Sequence, residues 1–408
     1  MTRKGVWNLQ QVRDKYLQSL WVNNAQIWTC GGNNNDYAGV LGNNTGGPSS
    51  RYSSPVQVFG DNSEWSEIQI ANSSVTMYGK KTDGSLWGWG RGHRGQLGVN
   101  NTASYSSPVR VGGSTADNVI SYSSCGYTAG WINSDNELWM CGAATFGQLA
   151  NGKNETTPDN KFSSPVQVPG SWSWISGNNP GHMYGAIKTN GELWVWGGNN
   201  GGQLGLNETS PNNGGYSSPV QVPGTTWSKV YCCNNNTKAT KTDGSLWVWG
   251  TNNQAQLGLN NLVSYSSPIQ VPGTWANVKF SKGHGGNRFY VESDGSMYQS
   301  GQNYQGNIGN NTRSDNVYYS SPIQIPGNWS TDHRPAIHNN SSVAAIKADG
   351  TAWVWGQQQY SGQFGIDSLT NYSSPIQLGG GMGGKWTDVA ITQQGFAGIR
   401  NTLTSSQE

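Results

Sequence analysis

Five histidines, five cysteines and 22 acidic residues are the groups best suited to chemistry in this chain of 408 residues, and their spacing assembles no catalytic constellation. General acid–base catalysis needs a histidine or carboxylate within hydrogen-bond reach of the reacting group. His182 and His284 hold equivalent places ahead of short apolar stretches, which suits a structural hydrogen-bonding role, whereas His93, His333 and His338 share no common place. Asp83, Asp243, Asp294 and Asp349 each precede a glycine and are spent in tight turns. Cys232 and Cys233 are adjacent, but a zinc or redox site calls for separated cysteines or nearby histidines. Cys30 and Cys141 fall inside apolar runs, where a small buried thiol is the natural reading, and Cys125 lies on an inferred inner strand. Carboxylates from distant segments can converge in a folded chain, yet nothing singles out such a pair. The expectation is a protein without catalytic residues, metal or cofactor.

The elements that would position any site are set by an internal repeat. Tyr or Phe, Ser, Ser, Pro, then Ile or Val recurs with prolines at Pro55, Pro108, Pro165, Pro219, Pro268, Pro322 and Pro375, spaced 49 to 57 residues apart. Each unit also carries an Asp-Gly-like hairpin turn: Asn23-Asn24, Asp83-Gly84, Asp135-Asn136, Asn190-Gly191, Asp243-Gly244, Asp294-Gly295 or Asp349-Gly350. A short apolar run ending in glycine follows, as in Leu193-Trp194-Val195-Trp196-Gly197, and then a turn such as Gly202-Gln203-Leu204-Gly205. Successive side chains of a strand point to opposite faces, so four apolar residues in a row require both faces to be covered. Trp194 and Trp196 share one face, Leu193 and Val195 the other, and each face must meet a neighbouring copy of the unit.

The fold class predicted is therefore all-β: a seven-bladed β-propeller of four-stranded blades. A blade reads as Trp227 to Cys232, Lys238 to Thr242, Ser245 to Gly250 and Pro268 to Val271. Segments Trp386 to Ile391 and Phe396 to Arg400 match the first two strands of a unit, and Gln26 to Cys30 and Pro55 to Val58 the last two, so both termini close the ring. Leu20-Trp21-Val22 competes for the second-strand place. Residues 1–19 are set apart as an extension with a short helix, 20–400 as the propeller and 401–408 as a tail. Two units depart from the opening Trp-x-x-apolar pattern, with Ala116 in the tryptophan place and Trp329 followed by Thr331-Asp332; looser packing is expected in both.

Composition narrows the partners. Charged residues make up 11% of the chain, the net charge is +2, and no basic stripe is present, which argues against nucleic acid. No stretch approaches the roughly 20 apolar residues of a membrane span, and no secretory signal is evident. The 20 tryptophans are best explained by packing between blades, each burying roughly 150–250 Å².

Trp247-Val248-Trp249-Gly250-Thr251-Asn252, Gln256-Leu257-Gly258-Leu259-Asn260 and Ser266-Ser267-Pro268-Ile269-Gln270-Val271 resemble the repeats of the regulator of chromosome condensation (RCC1) type. The resemblance spans residues 20 to 400 and implies a seven-bladed propeller. It implies no single function, since the family includes exchange factors for small GTPases, ubiquitin-ligase modules and many bacterial and viral proteins. No exchange-factor residue maps onto this chain. The uniform Tyr-Ser-Ser-Pro wording, the Asn- and Gly-rich loops and the opening Gly5-Val6-Trp7-Asn8 look more like repeat proteins of marine bacteriophages and bacteria.

On that reading the chain is a non-enzymatic propeller on a virion surface, in a tail fibre, tail tip or capsid appendage, binding other virion proteins or a host-surface glycan or protein. The alternative is a cytoplasmic RCC1-like regulator of a small GTPase or another protein. Recognition is assigned to loops that vary while the framework does not. The candidate binding residues are Asn44, Arg51, Asn154, Lys161, Asn207, Asn212, Asn213, Asn311, Arg313 and Tyr318. Leu9, Val12, Tyr16 and Leu20, at helical spacing, form a candidate docking face.

Overall fold

The computed structural model describes residues 22–32, 39–44, 51–59, 65–71, 76–154, 160–178, 182–209, 215–273, 275, 278–284, 289–313, 317–338, 341–358, 364–366, 368, 370–378, 385–391 and 395–404. Seven sheets, antiparallel except for one parallel strand pair, stand around a common axis. Blade 1 comprises Trp65–Ala71, Thr76–Lys81, Leu86–Gly90 and Tyr105–Arg110, from the axis outward. Blade 2 comprises Ser121–Cys125, Thr128–Ile132, Leu138–Ala143 and Lys161–Val168. Blade 3 (Trp172–Asn178, Met183–Lys188, Leu193–Gly198, Gly215–Val222) and blade 4 (Trp227–Cys233, Asn236–Lys241, Leu246–Gly250, Tyr265–Val271) follow the same order. The Tyr-Ser-Ser-Pro motif thus lies within the outermost strand.

The last three blades carry the irregularities. Blade 5 has Lys279–Phe280, Phe289–Val291, Met297–Gln302 and Tyr318–Ile325. Its chain then contributes Lys282–His284 to blade 6, parallel to Ala336–His338, ahead of Ser342–Ile346, Ala352–Gly356 and Tyr372–Gln377. Blade 7 closes the ring with Lys385–Ile391 and Gly395–Thr404 from one end of the sequence and Val22–Gly32 and Arg51–Gln57 from the other. The second-strand place goes to Gly395–Thr404, which pairs in register from Val22↔Thr404 to Gly31↔Gly395. Asn23 and Asn24 are therefore mid-strand and not a hairpin turn: strands two and three of this blade come from opposite ends of the sequence, so no hairpin joins them.

Packing follows the alternation read from the sequence. Trp194 and Trp196 pack on Leu138, Met140 and Trp172 toward blade 2, and Leu193 and Val195 pack on Trp227, Val230 and Trp249 toward blade 4. In most blades the first-strand tryptophan needs a small residue on the second strand. A Cβ on Gly79 would come within 2.6 Å of the Trp65 ring, and one on Gly398 within 2.6 Å of Trp386. Blade 2 reverses the sizes: Ala116 takes the tryptophan place, and Trp131 on the second strand supplies the indole, donating Nε1–H to the Thr115 carbonyl at 2.8 Å. Both are fully buried, so the looser packing expected there is absent. Trp329 is also buried; the departure after it shortens the first strand of blade 6 and leaves the core closed.

Two bands of hydrogen bonds join blade to blade. At one end, each second-to-third-strand hairpin accepts the backbone N–H that opens the next blade, as in Trp227 N–H to the Gly191 carbonyl and Trp386 N–H to the Gly350 carbonyl. At the other end, an asparagine after the Gln-Leu-Gly turn donates its N–H to a serine carbonyl of the next Ser-Ser-Pro strand: Asn44 to Ser106, Asn100 to Ser163, Asn207 to Ser266, Asn260 to Ser320 and Asn311 to Ser373. These asparagines have φ of 57 to 64°, the left-handed region that asparagine tolerates better than most residues. The glutamine of the same turn accepts an indole from the next blade, as in Trp196 Nε1–H to the Gln148 carbonyl at 2.7 Å and Trp249 Nε1–H to Gln203 at 2.8 Å.

Candidate functional site

The first strands run from the hairpin end of the ring to the loop end, so two surfaces are available: the loop face and the axial channel. On the loop face the turn between first and second strands and the start of the variable loop are bonded together, for example Thr251 N–H to the Asn235 carbonyl at 2.7 Å. The sequence-derived residues distribute over this face and its rim. Asn44, Asn207 and Asn311 are exposed but are engaged in the interblade clamp, and Asn207 and Asn311 also accept the Ser267 and Ser374 hydroxyls at 3.1 Å. Asn154 and Lys161 are exposed at the two ends of the blade 2 loop, and Arg51 opens the outer strand of blade 7. Arg313 lies in the blade 5 loop, where it donates to Gln305 Oε1, and Tyr318 opens the outer strand of that blade. Asn212, Asn213, Leu9, Val12, Tyr16 and Leu20 lie outside the described residues.

The loop face also carries an apolar surface that the sequence reading did not single out. Leu262 and Val263 of blade 4 are 54% and 55% exposed, and Val317 and Tyr318 of blade 5 are 38% and 42% exposed. The two stretches abut, because Asn260 bonds the Ser320 carbonyl at 2.8 Å and its Oδ1 accepts the Ser320 and Ser321 hydroxyls at 3.3 Å. Four of the six exposed large apolar side chains among the described residues thus fall in the blade 4 loop and at the end of the blade 5 loop beside it. The available signal was Leu262-Val263 and Val317, apolar residues outside any expected strand.

The channel is lined by the first strands of all seven blades and encloses a cavity of about 730 Å³. Its depth is pinned by Lys282, whose ammonium donates to Asp388 of blade 7 and to the Ile68 carbonyl of blade 1 at 2.7 Å. Asp388 Oδ2 in turn accepts the Ile68 N–H at 2.8 Å. Burial pulls the Lys282 ammonium below its ordinary value, and the adjacent Asp388 opposes that shift. Toward the hairpin end, Lys229, Lys279 and Arg334 come from three consecutive blades. Lys229 Nζ stands 5.3 Å from the Trp174 ring centre, and the Arg334 guanidinium lies 5.2 Å from Tyr231 while donating Nε–H to the Phe280 carbonyl at 2.8 Å. His333 beside them is held below the usual histidine value by burial.

The remaining chemistry-bearing residues serve the framework. Asp83, Asp243 and Asp349 accept hydrogen bonds from Ser85, Ser245 and Thr351, which hold their carboxyls below the ordinary range. His182 stacks on Phe146 at 4.2 Å between ring centres, and burial lowers it to about 4. Cys30, Cys125 and Cys141 are buried, and desolvation pushes each thiol up to about 12. Cys232 and Cys233 are buried and free of disulfides. No cluster of three potential metal ligands occurs among the described residues. No helix among them is long and apolar enough to cross a membrane.

Comparison with known proteins agrees with this architecture. The model of the regulator of chromosome condensation (RCC1) repeat matches residues 83–129, 190–239 and 243–291. The ultraviolet-B receptor UVR8 of Arabidopsis thaliana is 30% identical over 335 residues, covering 78% of this chain and 70% of the receptor. The mitochondrial RCC1 domain-containing protein RUG3 of the same plant is 28% identical over 310 residues, 74% of this chain and 67% of its own. Among solved structures, yeast RCC1 (Prp20) bound to Kap60 gives a TM-score of 0.76 at 15% identity, covering 100% of this chain and 95% of that one. At those identities the structural likeness speaks for the fold alone.

Proposed function

Because the chain belongs to the family built on RCC1 repeats, we propose that it is a non-enzymatic binding propeller that regulates a protein partner docked on the loop face of blades 4 and 5. One observation carries this reading: Leu262, Val263, Val317 and Tyr318 stand exposed on the loop side of two neighbouring blades, in segments joined by the bonds of Asn260 to Ser320 and Ser321. Exposed apolar groups rimmed by polar ones mark protein interfaces more than glycan sites. A framework clamped at both ends of its blades presents such a surface with little ordering cost on association.

The relatives favour this reading over the virion one. The aligned plant proteins are a receptor and a mitochondrial protein, and nothing in these likenesses supports a place in a phage tail or capsid. The resemblance to phage-encoded repeats therefore yields to the alternative, a cellular regulator of a protein. A photo-crosslinking residue placed at position 263 or 318 tests it in the native cells. One protein species should be captured at both positions and lost when Leu262 and Val263 are both changed to Asp. Capture from hairpin-face positions such as 190 alone would defeat the proposal. Adding the propeller to the purified partner should then change the partner's activity.

A further inference from the structure

The axial channel supplies a second site, on the opposite face from the loops. Its hairpin-end mouth gathers Lys229 from blade 4, Lys279 from blade 5 and Arg334 from the segment leading into blade 6. Lys229 and Lys279 make no ion pair and no side-chain hydrogen bond to the framework among the described residues, and both are partly buried. The carboxylates of the channel are otherwise disposed: Asp388 is committed to Lys282 and Glu67 to Lys80, which leaves Asp332. Half-buried Trp174 and buried Tyr231 supply aromatic walls beside these cations. A further group points to a missing partner. Tyr122 lines the same cavity, and its hydroxyl is buried with no hydrogen-bond partner among the described residues. A buried donor of this kind costs free energy unless something accepts from it.

We infer that this mouth binds a small phosphate-bearing organic molecule, with the phosphate held by Lys229, Lys279 and Arg334 and the carbon body lying against Trp174 and Tyr231. Two ammonium groups and a guanidinium converging from separate elements match a dianionic phosphate, which the arginine can engage through two parallel N–H donors. The cavity volume lies within the range of small-molecule pockets, and its mixture of aromatic wall and few convergent polar groups is typical of them. Lys229 is held below its ordinary value by burial and then by Arg334 and Lys279, so the mouth already carries like-charge repulsion that a bound dianion would relieve.

Calorimetry of the full chain with phenyl phosphate, with inorganic phosphate and with benzyl alcohol at one fixed ionic strength tests the assignment. The expected result is saturable binding of one phenyl phosphate per chain, weaker binding of inorganic phosphate and none of the alcohol. Lys229→Gln combined with Lys279→Gln should weaken phenyl phosphate at least tenfold with thermal stability retained, and Trp174→Leu should bring it down to the level of inorganic phosphate. Absence of saturable binding, or binding unchanged in the double lysine variant, would overturn the inference. Equal affinity for inorganic and phenyl phosphate would overturn the part given to Trp174 and Tyr231. Arg334→Gln also removes the bond to the Phe280 carbonyl, so the lysine pair is the deciding variant. Because the crosslinking positions 263 and 318 lie on the other face, failure here leaves the partner site standing, and the reverse holds as well.

Discussion

Blades 3 and 4 and blades 5 and 6 are built from the same repeat, yet they differ at the axis. In blades 3 and 4 the first strand has seven residues and starts at its tryptophan. In blade 5 it has two residues, and in blade 6 it has three. Pro335 explains part of the change: it has no N–H to give to a ladder, and its carbonyl accepts the Lys282 N–H at 2.8 Å. The blade 5 chain thereby crosses to pair with blade 6, and the chain leaves the sheet after Ser330, bringing Asp332, His333 and Arg334 to the channel. Where the repeat is regular, Lys229 is the one charged side chain that blades 3 and 4 bring to the channel among the described residues. Where it breaks, Lys282, His333 and Arg334 reach the axis, so the irregular arc holds most of the channel's charge.

Four effects would break or sharpen this contrast. The largest effect is expected in blade 2, outside the irregular arc, where Trp131→Ala opens a cavity and should cost about 3–5 kcal/mol in urea unfolding. Adding Ala116→Trp should recover about half of that loss if the two positions are a size-swapped pair. In the irregular arc, Asp388→Ala leaves Lys282 buried without its carboxylate. About 3 kcal/mol is expected, near the low end for a broken buried pair because the ammonium, already below its ordinary value, can shed its proton. Lys282→Met with Asp388→Leu should restore most of it; a double variant as unstable as Asp388→Ala would contradict the ion-pair account.

The third effect depends on pH. The folded value of His182, about 4, lies below the usual unfolded value near 6.5, so the unfolded chain binds the extra proton first. Stability from this group is full above pH ~6.5 and falls as the pH drops toward 4, by about 2 kcal/mol at pH 5. His182→Asn, which tolerates the positive φ there, should flatten that acid limb in pH-dependent unfolding, with His93 contributing what remains. The smallest effect belongs to the clamp. Asn207→Ala loses a hydroxyl contact and places alanine at φ 61°, for about 1 kcal/mol, whereas Asn207→Gly should cost less.

Much of the fold could be read from the chain because packing repeats. Seven prolines, seven apolar runs and the Asp-Gly turns give the blades, their order and the closure from both ends, since each is a local pattern copied at nearly constant spacing. Compensation between distant residues was not visible: Ala116 reads as a defect until Trp131 is seen to fill the gap. The channel was hidden for the same reason. Lys229, Lys279 and Arg334 stand about one repeat apart, so no basic run appears in the sequence although the ring brings them to one mouth. Asn44, Asn207 and Asn311 read as candidate binding residues because a left-handed asparagine bonded to the next blade looks, in one dimension, like any other polar loop residue.

The pairing of Val22–Gly32 with Gly395–Thr404 has a mechanical side. Val22 and Thr404 face each other at the outer end of an antiparallel ladder, so tension on the two ends of the sequence loads its bonds in series and not together. Pulled that way the ring should peel open at its seam from Val22 inward, at low force, while blades 1 to 6 stay zipped. Torn between blades 3 and 4 or between blades 4 and 5, it should resist far longer, because there the load is shared by two bands of clamps and a buried core.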